Sequence, residues 1–125
     1  MPYADTSFLL AVIKESDWLK KPATAEFEKL KGKLWTSSSA VIEIMLVGAR
    51  LGMNLDNLIV SLYELVDVVD MHRDIPLTAS YFMQKYGMNV FDAFHAASAG
   101  GDEIVTSDSI FAKVGPKTIY IGNAK

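Results

Sequence analysis

Four carboxylates stand where an acid either caps a helix or does chemistry. Asp5 follows Tyr3-Ala4, and Asp108 follows Ile104-Val105-Thr106 with Ser107 between. Each occupies the same niche: a short apolar strand, an acid, then a helix start. In open α/β sheets ligands gather beyond the carboxyl ends of the strands, so both acids fall where a site is expected. Aspartate is equally at home there as an N-cap, because its oxygen accepts an orphan helix N–H. Asp92 comes three residues after Asn89, the spacing of a capping box, and an acid in a first turn also suits the helix dipole. Glu43 differs. Its neighbours are Val41, Ile42, Ile44, Met45, Leu46 and Val47. A helix apolar on all sides predicts burial, and a buried glutamate needs a partner. Arg50 lies two turns on, about 10 Å away, so a cation held at a site is the better match. His95, one turn after Asp92, is either a metal ligand or a side chain packed or supporting the ligands from behind, and its small neighbours Ala93, Ala96, Ala97 and Ala99 favour the latter. His72 is isolated and receives no role.

These residues need elements to position them. Tyr3-Ala4 reads as a strand edge, Asp5-Thr6-Ser7 as a cap and Phe8 to Ile13 as a buried helix. Between Trp18 and Lys33, Pro22 predicts a break into two helical pieces, the second from about Thr24 to Lys31. Lys33 to Thr36 reads as a strand, and Ser37-Ser38-Ser39 cap a helix from Ala40 to about Leu51. Further helices are expected over Asn54 to Leu65, Pro76 to Lys85 and Val90 to Ala99, with a turn at Ser109 to Lys113. Strands are expected over Val66 to Val69, Ile104 to Thr106 and Thr118 to Ile121. Met45, Met53, Met83 and Met88 fall in apolar patterns and are expected in the core. Short strands alternating with helices predict an α/β fold: a three-layer α/β/α sandwich with a central parallel sheet.

Composition narrows the classes. At 125 residues the chain is one domain, spanning 1-125, and 50% hydrophobic content with net charge −3 excludes disorder. Without cysteine there is no disulfide framework, thiolate zinc site, iron–sulfur cluster or thiol nucleophile. The pI of about 5.3 is not that of a strongly basic nucleic-acid binder. Residues 20–33 nevertheless carry a net +3, against −6 for the rest. Lys29, Lys31 and Lys33 there are either a solvated face, a surface for an acidic partner, or an RNA-binding rim contacting phosphates. No apolar run approaches the roughly 20 residues of a membrane helix, and no basic region leads Phe8 to Ile13. A cytoplasmic protein is expected.

In order, the motifs are Asp5-Thr6-Ser7, Glu43 in an apolar helix, Asp92-Ala93-Phe94-His95-Ala96-Ala97 and Thr106-Ser107-Asp108. In this combination the chain resembles the PIN-domain family, and within it the small VapC-type ribonuclease toxins, over nearly its whole length. The resemblance implies a Rossmann-like sandwich in which Asp5, Glu43, Asp92 and Asp108 meet in one acidic pocket as metal ligands and catalytic residues. It implies hydrolysis of RNA phosphodiester bonds with Mg²⁺ or Mn²⁺ as cofactor. Thr6, Ser7 and Thr106 become supporting residues, and a small antitoxin and a homodimer become the expected partners. Many relatives carry a further acid two residues after the last aspartate. Here Ser109-Ile110-Phe111 offers none, so one firmly held ion is expected. Hard carboxylate oxygens suit Mg²⁺, and an ion would let an acidic protein accept a polyanion. Carboxylates sharing a pocket repel, so their pKa values are expected to rise in the metal-free fold.

Two other classes match part of this pattern. A receiver-type signalling domain shares the length and acidic balance but needs an acidic pair after its first strand, where Asp5 stands alone. A dehalogenase-type phosphatase needs D-x-D, which Asp5-Thr6-Ser7 lacks. A catalytically silent PIN-like RNA-binding domain is the remaining alternative.

Overall fold

Five short strands carry the chain from layer to layer in a computed structural model that describes residues 1–122. In chain order the elements are β1 (Tyr3–Ala4), α1 (Thr6–Ile13), α2 (Lys20–Leu30), β2 (Trp35–Ser37), α3 (Ser38–Arg50) and α4 (Leu55–Leu65). There follow β3 (Asp67–Val69), α5 (Ile75–Tyr86), α6 (Val90–Ala99), β4 (Ile104–Thr106), α7 (Ile110–Val114) and β5 (Thr118–Tyr120). The sheet order is β3-β2-β1-β4-β5, with every pairing parallel. The expected three-layer sandwich is what forms. The order is not the 2-1-3-4-5 of flavodoxin-like sheets, the group to which receiver domains belong, and this removes the signalling alternative.

Strand alternation builds the layers. Successive side chains of a strand point to opposite faces. Ala4 and Val105 therefore join one core with Phe8, Leu9, Phe27, Ile44, Leu58 and Leu62, from α1 to α4. Tyr3 and Ile104 join the other, with Ala79, Ala93, Ala96 and Phe111 from α5, α6 and α7. The small residues of α6 let α5 pack closely along it.

Three expectations are corrected. Pro22 breaks nothing: it sits in the first turn of a continuous α2, where its missing N–H has no intrahelical acceptor to lose. Helix α3 is not buried all round. Ile44 and Gly48 face the core, but Ile42 is 57% exposed and Leu46 44%, with Met45 beside them. Apolar residues on every side of a helix reveal its composition, not which sides find neighbours. Likewise Met88 is buried, whereas Met45 and Met83 are exposed.

Gly48 marks the tightest approach of α3 to α4. A Cβ there would lie 2.5 Å from Leu58 Cδ2 and 3.1 Å from Leu55 Cδ2. Gly48→Val is expected to cost about 1–3 kcal/mol by overpacking. A thermal melt should fall by about 4 °C per kcal/mol for a chain of this size. An unchanged melt would mean that the helices separate freely.

Candidate active site

The chain passes from β1 to β2 to β3 on one side, then enters β4 on the other side of β1. That reversal makes the carboxyl ends of β1 and β4 the topological switch point, where such sheets bind ligands. Asp5 and Asp108 lie there, each just beyond its strand. α3 brings Glu43 and α6 brings Asp92 to the same place. A cavity of about 330 Å³ is lined by Asp5, Thr6, Ser7, Leu10, Glu43, Val47, Asn89, Asp92, His95 and Asp108. All four predicted carboxylates thus share one cavity. A larger cavity, about 740 Å³, opens by Met1, Asp102, Glu103 and Lys117 at the amino ends of the strands, remote from the carboxylates.

Asp5 also caps α1, and the other two aspartates bond at the starts of α6 and α7. Asp5 Oδ1 accepts the Phe8 N–H at 3.0 Å and the Ser7 hydroxyl at 2.9 Å. Asp108 Oδ1 accepts the Ile110 N–H at 3.0 Å, and Asn89 and Asp92 exchange two bonds of 2.9 Å. Capping and site-building are therefore compatible here, since each aspartate commits part of its bonding to the backbone or a neighbour and still faces the cavity. Thr106 links two of them: its hydroxyl donates to Asp5 Oδ2 at 2.5 Å and accepts the Asp108 N–H at 2.9 Å. Ser107, overlooked in the sequence, donates from its hydroxyl to Ser7 Oγ at 2.9 Å.

Glu43 finds its cation in His95. Nε2 of the imidazole lies 2.7 Å from Glu43 Oε1 and 3.2 Å from Thr6 Oγ1, and Nδ1 lies 2.6 Å from the Tyr3 hydroxyl. Arg50 is exposed and forms no ion pair with Glu43 among the described residues. His95 is the packed histidine its neighbours suggested, 1% exposed.

The electrostatics follow from this crowding. Burial raises the Asp5 pKa and outweighs the charge of His95 and the Thr106, Phe8 and Ser7 hydrogen bonds. Asp92 is pushed up to about 6 by burial and then by the charges of Asp108, Glu43 and Asp5, with His95 opposing. Glu43 departs from the expected rise. Burial pushes it up, but the His95 and Thr6 hydrogen bonds and the His95 charge leave it lowered. For His95, burial opposes the cation, yet Tyr3, Glu43 and Asp5 push its pKa up to about 10.

Lys29, Lys31 and Lys33 do not join this cavity. Lys33 precedes β2, and Lys31 lines a separate cavity with Phe27, Leu34, Val66 and Asp67 at the amino ends of β2 and β3. Lys31 and Lys33 thus lie at the opposite end of the sheet from the carboxylates.

A parallel sheet with four acids gathered at its switch point defines an α/β protein with an acidic cavity there. The family model of the PIN domain matches residues 3–117, and the chain belongs to that family. No curated protein matches it. Solved structures share the fold. Mycobacterium tuberculosis VapC20, described as a Sarcin-Ricin loop cleaving toxin, is 17% identical with a TM-score of 0.79, covering 96% of this chain and 99% of that one. VapBC2 from Rickettsia felis, bound to a promoter DNA fragment, is 14% identical with a TM-score of 0.74, covering 98% and 100%. A toxin–antitoxin complex from Klebsiella pneumoniae is 17% identical with a TM-score of 0.73, covering 95% and 96%.

Proposed function

We propose that the chain is a Mg²⁺- or Mn²⁺-dependent endoribonuclease, the toxin of a toxin–antitoxin pair. The observation that carries this reading is the convergence of Asp5, Glu43, Asp92 and Asp108 on one cavity at the switch point. Their mutual repulsion, felt at Asp92, is what a bound cation relieves. The donor set fits a hard cation: carboxylate oxygens, two of them oriented by Thr106, with no thiol in the chain. As the side chains stand, no group of three or more such residues is close enough to hold an ion, among the described residues.

Asp5, Glu43, Asp92 and Asp108 would hold the ion. Such an ion lowers the pKa of bound water and neutralises charge on a phosphoryl oxygen. Ser7 and Thr106 keep the Asp5 carboxylate oriented throughout. Leu10 and Val47 form the apolar wall of the cavity.

A small antitoxin partner and a homodimer belong to this reading, as does a cytoplasmic location. The antitoxin is supported by the complexes of similar fold, and an interface by the exposed Ile42, Met45 and Leu46 on α3. No helix among the described residues is long and apolar enough to cross a membrane. The test is cleavage of structured RNA by the purified protein. Fragments should appear with Mn²⁺ or Mg²⁺ and vanish with EDTA. Equal cleavage in EDTA overturns the metal dependence, whereas RNA binding without cleavage under either condition favours the silent domain.

A further inference from the structure

We infer that His95 is the positioning residue of the site, held by Tyr3 at one ring nitrogen so that the other fixes the Glu43 carboxylate. The inference rests on the metal-nuclease reading above. A carboxylate accepts and does not donate, so Nε2 carries its hydrogen towards Glu43, with Thr6 Oγ1 sharing it at 3.2 Å. Nδ1 meets the Tyr3 hydroxyl at 2.6 Å, donating to its oxygen when the ring is charged and accepting its hydrogen when the ring is neutral. Tyr3 in turn bonds to Ser37 Oγ at 2.9 Å, and Ser37 to Ser39 Oγ at 2.6 Å. In either state the bonds run unbroken from Ser39 through Ser37, Tyr3 and His95 to Glu43. Both ring nitrogens are engaged by protein, so His95 acts through Glu43 and is not itself a ligand.

Ser37 supplies an independent sign that this chain is specified. It stands at the N-cap of α3 yet makes no capping bond with its side chain. Its hydroxyl goes instead to Tyr3 and Ser39. The chain joins β1, the end of β2, α3 and α6, so the carboxylate of a helix exposed on one side is fixed by the buried centre of the sheet. Ordered partners behind a ligand commonly change metal affinity or activity by about 10–100-fold.

The experiment measures Mn²⁺ binding to the full chain by calorimetry without RNA, followed by kcat and KM for cleavage. His95→Leu is expected to weaken Mn²⁺ binding by about 10–100-fold and to lower kcat more than it raises KM for RNA. His95→Gln restores an amide N–H towards Glu43 and should recover most of the affinity. Tyr3→Phe keeps both rings, deletes one hydroxyl, and should fall between. A residue that merely filled space would give His95→Leu and His95→Gln the same affinity, and that result overturns the proposal. So does wild-type affinity in folded His95→Leu, or in Tyr3→Phe where His95→Leu does not fold. A wild-type chain that binds no Mn²⁺ overturns the metal reading itself, and this proposal with it.

Discussion

Asp5→Asn is expected to yield a folded protein whose Mn²⁺-dependent RNA cleavage falls by about 10²–10³-fold, the scale of losing one preorganised electrostatic group. The substitution separates two roles of one side chain. The amide oxygen can still accept the Phe8 N–H and the Ser7 hydroxyl, so the start of α1 keeps its cap. The charge is lost, and burial already disfavours that charge in the metal-free fold. Stability without metal should therefore hold while activity collapses. Wild-type cleavage by Asp5→Asn would leave Asp5 as a helix cap and nothing more.

The second large effect is in the response of stability to metal and pH. The folded pKa of Asp92 lies at about 6, above its ordinary 3.8. The metal-free fold thus prefers Asp92 protonated. Its contribution to stability is fully present below the unfolded value and is lost as pH rises through about 6. Between pH 4 and pH 7 the wild-type melt should carry this loss, and Asp92→Asn should not. At pH 7 the metal-free variant is expected to melt at or above the wild type, since its amide can still pair with Asn89. Mn²⁺ reverses the ranking. An ion at a hundred times its Kd stabilises the wild type by about 2.7 kcal/mol, roughly 10 °C for a chain of this size. Asp92→Asn should lose most of that rise. Identical metal shifts in the two proteins would remove Asp92 from the site. A fall in the variant without metal would return it to a purely structural cap.

The sequence made some of this site legible and hid the rest for identifiable reasons. Asp5 and Asp108 were readable because strand, acid and helix are local signals, and parallel sheets place such acids at one end. Glu43 was readable because a lone acid among six apolar neighbours demands a partner. The partner was not: His95 is 52 residues away in the chain, and spacing along a helix can suggest only neighbours such as Arg50. The three lysines are the complementary case. Their spacing shows charge density, but the fold decides which end of the sheet receives it. The sheet order and the α5–α6 packing lay beyond any local pattern, although the alternation of strands and helices announced the sandwich. The exposed side of α3 was invisible because hydrophobicity does not say what covers it.

Strand β1 is two residues long, and those two residues serve opposite faces. Tyr3 enters the core of α5, α6 and α7, Ala4 enters the other, and Asp5 follows at the rim. Sliding this segment by one position would exchange the faces, turn the phenol away from His95 and withdraw the acid from its cavity together. A single residue inserted or deleted between Tyr3 and Asp5 therefore disturbs the sheet and the site together. The spacing from Tyr3 to Asp5 answers to the folded sheet and to the acidic cavity at once, whereas a side chain on the cavity wall answers to the cavity alone.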